Sequence, residues 1–183
     1  PDATNDDILN AIADIYGMNK NQIVVGNGAA ELLYAICRLP GYTGAFVPAP
    51  GFSEYKAALE ASRIPVRDIY YRPREDEHGK PYFEVPYLAL ETFAAELKGQ
   101  DGRIIVFLGN PNNPDGTLLD KNHIRTIASM LKDANSLLVI DESFIDFVGN
   151  DTLQDNEYSM RSLVNEFDNI IVVHSFTKFY AVP

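Results

Sequence analysis

Short runs of apolar residues alternate with amphipathic stretches along the whole chain. The apolar runs predict strands at 22–25, 45–47, 66–71, 103–108, 136–140 and 170–173. Apolar residues at helical spacing predict helices at 8–16, 29–36, 52–61, 88–98, 120–134 and 159–167, with Asp120 as the N-cap of the fifth. Strands that alternate with helices indicate a three-layer α/β/α sandwich with a mostly parallel sheet.

Two segments between these elements have the composition of loops, namely residues 72–80 and the Gly, Asn and Pro-rich residues 109–116. The chain begins at Pro1 without a methionine and stops at Pro183, so we expect a piece of a longer polypeptide, truncated at both ends.

Composition narrows the class of protein. With 183 residues, of which 46% are hydrophobic, the chain can build one sizeable core. A formal net charge of -11 argues against a nucleic-acid partner, because the phosphate backbone attracts basic surfaces. The single cysteine, Cys37, cannot form a disulfide within the chain, and no apolar run approaches about 18 residues. We therefore expect a soluble, cytoplasmic protein that does not enter a membrane.

Lys178 follows the predicted strand at 170–173 and would be presented by a loop at the carboxyl end of that strand, where α/β proteins place their ligands. Phe176, Phe179 and Tyr180 surround it in sequence. A lysine among aromatic rings loses hydration, which disfavours its charged form and frees the amine to attack a carbonyl. Lys178 is therefore a candidate for Schiff-base chemistry. The alternative is a surface lysine whose stem lies over neighbouring rings.

Three other predicted strands also end in groups that could bind a ligand. Residues 26–30 form a Gly-Asn-Gly turn into a helix, which offers backbone N–H groups to an anion or is a plain tight turn. Asn113 lies in a loop and could be a neutral donor or an ordinary turn residue. Asp141 continues a buried strand, so it needs a cation, a metal or a hydrogen-bond donor.

In a parallel sheet these strand ends lie along one crevice. A phosphate cradle, a polar donor, a buried carboxylate and a lysine together suit pyridoxal 5′-phosphate, whose ring nitrogen needs an acidic partner and whose aldehyde needs a lysine. The sequence therefore predicts a site for this cofactor.

The ordered segments 26–31, 112–116, 141–147 and 175–178 resemble the motifs of the fold-type-I pyridoxal-phosphate enzymes, which belong to the class I/II aminotransferase superfamily. The resemblance covers essentially the whole chain. Segments 50–55, 141–147 and 177–183 are most similar to the threonine-phosphate decarboxylases and next most similar to the histidinol-phosphate aminotransferases. A cofactor-binding domain without catalysis is the alternative from a different class.

The resemblance implies a role for each candidate residue. Lys178 would form the Schiff base and transfer protons at the substrate Cα, and Asp141 would pair with the pyridinium nitrogen. The remaining cofactor-binding residues would be Asn113 at the 3′-oxygen, Ala29 and Ala30 at the phosphate through their backbone N–H groups, Ser175 and Thr177 at the phosphate through their hydroxyls, and Phe52 stacked on the ring. On its own, Phe52 could equally be a core residue.

One position departs from the aminotransferase pattern. Aminotransferases of this group commonly carry a tyrosine three residues after the pyridinium-pairing aspartate, whereas this chain has Phe144, which cannot donate a hydrogen bond. This favours a decarboxylase, with an aminotransferase that tolerates phenylalanine at this position as the alternative.

The resemblance further implies a phosphorylated amino acid as substrate, a homodimer, and substrate-binding arginines largely beyond Pro183. It also implies that residues 1–20 are a helical segment that leads in from a missing N-terminal arm or small domain, and that residues 21–183 are the incomplete pyridoxal-phosphate-binding large domain. We expect no metal site. His78 and His123 would be solvated, and His174 would pack at the strand end.

Overall fold

Five parallel strands form the central sheet of the computed structural model, which describes residues 5–149 and 156–180. The strands are β1 Tyr42–Ala49, β2 Val66–Tyr70, β5 Arg103–Gly109, β6 Leu137–Asp141 and β7 Ile170–Val173, and a separate hairpin contains β3 Arg72–Glu75 and β4 Pro81–Glu84. The sheet order is β2-β1-β5-β6-β7, and every neighbouring pair is parallel.

Helices cover both faces of this sheet. They are α1 Asp6–Tyr16, α2 Gly28–Cys37, α3 Ser53–Ala61, α4 Tyr87–Glu96, α5 Lys121–Asp133 and the short α6 Phe176–Phe179, with 3-10 turns at Lys20–Gln22, Ile145–Phe147 and Arg161–Asn165. Alternate residues of one strand enter different cores: Ile105 and Phe107 pack with residues of α2 and α3, whereas Val106 and Leu108 pack with residues of α4 and α5. The predicted three-layer sandwich is therefore confirmed.

Burial on both faces explains why the central strands are continuously apolar rather than alternating. All five residues of β6 are buried, including its last residue, Asp141. Helix α1 differs from the other long helices, because none of its residues is buried. Among residues 5–149 and 156–180, no helix is long and apolar enough to cross a membrane.

The predicted strand at 22–25 is wrong. The chain forms the 3-10 turn Lys20–Gln22 instead, and Val24 is 78% exposed. Asn19 stabilises the turn, because its side chain accepts a hydrogen bond from the Asn21 N–H at 2.9 Å. A short apolar run does not make a strand unless a neighbouring strand completes its hydrogen bonds.

Three further segments differ in detail. The predicted loop at 72–80 contains β3 and the turn of the β3–β4 hairpin, where Asp76 accepts hydrogen bonds from the N–H groups of His78 and Lys80. The predicted helix at 159–167 is only the 3-10 turn Arg161–Asn165. The predicted loop for Lys178 is the helix α6. The other predicted helices and strands are present with shifts of a few residues at their ends.

Candidate functional site

The candidate residues follow four adjacent strands at one edge of the sheet. Phe52 comes after β1, Asn113 after β5, Asp141 ends β6, and Lys178 comes after β7. The strands are parallel and neighbouring in this order, so their carboxyl ends lie side by side. Asp141 is in register with Gly109 on one side and with Val173 on the other. The topology thus brings all four segments to one edge.

Asp141 is a buried carboxylate, only 7% exposed, with hydrogen-bond donors at both oxygens. The Tyr55 hydroxyl donates to Oδ2 at 2.9 Å. Ser143 donates to Oδ1 twice, from its backbone N–H at 2.9 Å and from its hydroxyl at 2.6 Å. These donors offset the cost of burying the carboxylate. The sequence left a cation, a metal or a hydrogen-bond donor as the possible partner of Asp141. Among the described residues, the partners are hydrogen-bond donors.

Glu142 is the next residue and is fully buried. Its Oε1 accepts from the Met160 N–H at 2.6 Å and from Asn110 Nδ2 at 3.1 Å, and its Oε2 accepts from the Ser159 hydroxyl at 2.6 Å. Burial raises the pKa of Glu142, and these hydrogen bonds oppose the rise. Glu142 therefore ties the end of β6 to the β5 loop and to the segment that precedes the Arg161–Asn165 turn.

Lys178 lies on α6, directly beyond β7, but its side chain is exposed in this chain. The expectation that Phe176, Phe179 and Tyr180 remove its hydration is therefore wrong for the described residues. The reason is that these rings pack on one another, with centroids 5.8 Å apart for Phe176 and Tyr180 and 5.1 Å apart for Phe179 and Tyr180. The Lys178 Nζ lies 5.9 Å from the centroid of the Phe144 ring, near the outer limit for a cation–π contact.

The N-terminus of α2 reaches the same edge of the sheet, because α2 is connected to β1 by a short turn and must run opposite to the strands. Gly28 begins the helix with φ of +81°, a conformation that favours glycine. Ala29 and Ala30 follow at the second and third helical positions, where backbone N–H groups lack helical acceptors. The N-cap Asn27 makes no side-chain cap. This arrangement suits an anion.

Two hydroxyls lie at the start of α6. Ser175 is buried and is the N-cap of α6, although its side chain does not cap the helix. Its Oγ is 2.7 Å from the Oγ1 of Thr177, which is exposed. The two hydroxyls form a pair close to Lys178 in the chain.

Phe52 and Asn113 are both partly buried. Phe52 is the N-cap of α3, and its ring meets Tyr55 edge-on with centroids 5.6 Å apart. Asn113 lies in the loop after β5. The neighbouring Asn112 holds this loop in place, because its Nδ2 donates a hydrogen bond to the Pro50 carbonyl at 3.0 Å. This bond links the loop that contains Asn113 to the segment that contains Phe52.

The histidines lie apart from this set or have other partners. His174 packs at the end of β7, and its Nε2 is 2.8 Å from Oδ2 of Asp146. Burial lowers the pKa of His174, although the charge of Asp146 opposes the effect. His123 is 2.8 Å from Glu91, and His78 is exposed. Within the described ranges, no group of three or more His, Cys, Asp or Glu residues could hold a metal.

Sequence reasoning missed Tyr55 and Ser143 as partners of Asp141. Tyr55 comes three residues after Phe52, about one helical turn later, which places both at the start of α3. Ser143 comes two residues after Asp141, the spacing at which an aspartate accepts a hydrogen bond from the backbone. Both spacings are visible in the sequence, but neither identifies these side chains as partners of Asp141.

Comparisons with known sequences add to this geometry. The family model for "Aminotransferase class I and II" matches residues 1–183. The chain is 30% identical over 188 residues to the threonine-phosphate decarboxylase of Salmonella typhimurium, which covers all of this chain and 45% of that protein. It is also 30% identical over 190 residues to histidinol-phosphate aminotransferase 1 of Psychrobacter arcticus, covering all of this chain and 43% of that protein. The chain thus spans less than half the length of these relatives.

Solved structures share the fold. The histidinol-phosphate aminotransferase of Clostridium acetobutylicum superposes with a TM-score of 0.77 at 24% identity, covering 99% of this chain and 48% of that one. The enzyme of the same name from Sinorhizobium meliloti, solved in complex with pyridoxal-5′-phosphate, gives a TM-score of 0.71 at 22% identity, covering 100% of this chain and 45% of that one.

Proposed function

Since the chain belongs to the class I and II aminotransferase family, we propose that the protein binds pyridoxal phosphate and acts on a phosphorylated amino acid. The observation that carries the proposal is the buried carboxylate of Asp141, which ends β6 beside the strand that leads into Lys178. The same sheet edge carries the helix N-terminus at Ala29 and Ala30. A relative of the same fold was solved with this cofactor.

The residues present fit the chemistry of the cofactor. Asp141 would face the ring nitrogen, Lys178 would hold the aldehyde carbon through Nζ, and Asn113 would donate to the 3′-oxygen. The phosphate would be held by the N–H groups of Ala29 and Ala30 and by the hydroxyls of Ser175 and Thr177, with Phe52 against the ring. When bound, the cofactor withdraws electrons from the substrate Cα.

For the reaction, we propose decarboxylation of a phosphorylated hydroxy amino acid such as threonine phosphate. The observation in favour is Phe144, whose ring lies 5.9 Å from the Lys178 Nζ and presents no hydroxyl there. Relatives named threonine-phosphate decarboxylase and L-serine phosphate decarboxylase are each 30% identical to the chain. A histidinol-phosphate aminotransferase is the second candidate, because a relative of that name is equally similar.

The two candidates differ in what they consume. The full-length protein is assayed with O-phospho-L-threonine and O-phospho-L-serine for carbon dioxide release without an amino acceptor. It is also assayed with histidinol phosphate and 2-oxoglutarate for glutamate formation. Carbon dioxide release that is absent from the Lys178→Ala variant supports the decarboxylase. Glutamate formation without carbon dioxide release supports the aminotransferase. Neither product from the loaded protein contradicts both.

We further propose that the protein acts as a cytoplasmic homodimer without membrane or nucleic-acid partners. Thr177, Lys178 and Phe179 are exposed among the described residues, and this exposure supports a surface that a second subunit covers. Light scattering on the full-length protein tests the dimer, which a monomer mass at assay concentration would contradict.

A further inference from the structure

Tyr55 connects two of the candidate cofactor residues. It lies in the first turn of α3, is only 2% exposed, and donates its hydroxyl proton to Oδ2 of Asp141 at 2.9 Å. The opposite end of the contact is aromatic: the Tyr55 ring stacks on Phe107 with centroids 5.2 Å apart and meets Phe52 edge-on. Tyr55 thus contacts both the carboxylate of Asp141, at the end of β6, and the ring of Phe52, which comes after β1.

We propose that Tyr55 is a positioning residue, which fixes the Asp141 carboxylate for the ring nitrogen of pyridoxal phosphate and supports Phe52 against the ring face. This inference rests on the proposed function, because it takes Asp141 as the partner of that nitrogen. Tyr55 acts through Asp141 and Phe52 rather than on the reacting atoms.

The geometry explains how the carboxylate is held. Ser143 donates to Oδ1 from a position two residues away in the same chain segment. Tyr55 donates to Oδ2 from helix α3. With a donor on each oxygen, the carboxylate cannot rotate without losing a hydrogen bond. Oδ1 accepts two hydrogen bonds from Ser143, and Oδ2, which accepts one from Tyr55, retains a lone pair for another donor. Tyr55 is therefore the partner that ties Asp141 to an element other than its own.

The phenol of Tyr55 remains a donor under working conditions. Burial raises its pKa far above the usual value, and the charge of Asp141 raises it further. A protonated phenol facing a carboxylate stabilises the negative charge, which in turn favours a protonated ring nitrogen. Removing the hydroxyl while keeping the ring should lower the protonation of the cofactor's ring nitrogen without leaving a cavity in the core.

Tyr71 provides a matched control for this substitution. It is also buried, with 3% exposure, and burial raises its pKa in the same way. Its hydroxyl has no hydrogen-bond partner among the described residues. The Tyr71→Phe variant therefore removes the same atom from an equally buried tyrosine without removing a donor from Asp141.

The test uses the full-length protein as wild type, Tyr55→Phe and Tyr71→Phe. Two quantities are measured: the dissociation constant for pyridoxal phosphate, and the nitrogen-15 shift of bound cofactor labelled at the ring nitrogen. We expect Tyr55→Phe to weaken binding about tenfold, as for the loss of one hydrogen bond to a charged group, and to move the shift towards that of neutral pyridine. Tyr71→Phe should leave both unchanged.

The outcomes separate this inference from the proposed function. If wild type binds no cofactor, the proposed function fails and the inference fails with it. If wild type binds but Tyr55→Phe retains its affinity and its nitrogen shift, the inference alone is overturned. Should Tyr55→Phe fail to fold, Ser143→Ala removes a hydroxyl donor from the other oxygen. A nitrogen shift in Ser143→Ala towards neutral pyridine supports the positioning of Asp141, and an unchanged shift contradicts it.

Discussion

Replacing Glu142 should destabilise the protein more than replacing any exposed acidic residue. Glu142 is fully buried and accepts hydrogen bonds from Met160 N–H, Asn110 Nδ2 and the Ser159 hydroxyl. Glu142→Ala leaves three donors without an acceptor. Each buried donor without a partner costs about 1–3 kcal/mol, so the expected loss for three donors is about 3–9 kcal/mol in the free energy of unfolding. That is a large fraction of the roughly 5–15 kcal/mol of a typical domain.

Glu142→Gln should cost less, about 1–2 kcal/mol at neutral pH. The amide oxygen can still accept from Met160 and Asn110, which both bond to Oε1. The hydrogen bond from Ser159 is lost, because the amide nitrogen would meet a hydroxyl oxygen that already accepts from the backbone N–H and Nε of Arg161. The exposed Glu77, whose side chain is 86% exposed, is the matched control: Glu77→Ala should leave the unfolding free energy nearly unchanged.

The pH dependence provides an independent check. Because burial raises the pKa of Glu142 above its ordinary value of 4.5, the folded state holds the proton more tightly than the unfolded state. The stability linked to Glu142 is therefore complete below the unfolded pKa and is lost as the pH rises through the folded pKa. Glu142→Gln lacks this titration. The difference in stability between wild type and Glu142→Gln should therefore shift in favour of the variant as the pH rises above 4.5.

Urea unfolding of the three variants and wild type at several pH values measures both effects. The reasoning is refuted if Glu142→Ala costs no more than Glu77→Ala. It is also refuted if the difference between wild type and Glu142→Gln moves in favour of wild type with rising pH.

Two further substitutions test the scaffold around the site, again by urea unfolding. Asp120→Ala should lower the free energy of unfolding by about 1 kcal/mol, because the Asp120 side chain accepts hydrogen bonds from the N–H groups of Asn122 and His123 at the start of α5. An unchanged urea midpoint would show that the cap is not stabilising. Leu131→Ala in the core should lower the free energy of unfolding by about 2–5 kcal/mol. Leu88→Ala, at a side chain that is 79% exposed, should lower it by less than about 0.5 kcal/mol, and equal losses would contradict the assigned burial.

The sequence predicted the sheet and the positions of its strand ends, because buried parallel strands are continuously apolar and stand out from the polar segments beside them. Asp141 could be recognised for this reason, since a charge that continues such a run must have a partner. The identity of that partner was not predictable. Tyr55 lies 86 residues away in the chain and meets Asp141 only once the sheet is assembled.

The errors have physical reasons of the same kind. Residues 23–25 are apolar, but an apolar run does not specify a pairing strand. The local hydrogen bond at Asn19 favours the 3-10 turn Lys20–Gln22 directly before them. Lys178 was expected to be dehydrated because aromatic residues flank it in sequence. In the structure, Phe176 and Tyr180 pack on each other, and the Lys178 side chain is exposed. Neighbours in sequence therefore do not determine the surroundings of a side chain on a short helix.

The covalent attachment of the cofactor tests the central claim most directly. The full-length protein is treated with pyridoxal phosphate, reduced with borohydride, digested, and analysed by mass spectrometry to locate the pyridoxyl group. The proposal predicts that the group lies on Lys178, in stoichiometric amount, and is absent from the Lys178→Ala variant. A protein that carries the group on a different lysine, such as Lys20 or Lys56, or that carries none, would contradict it.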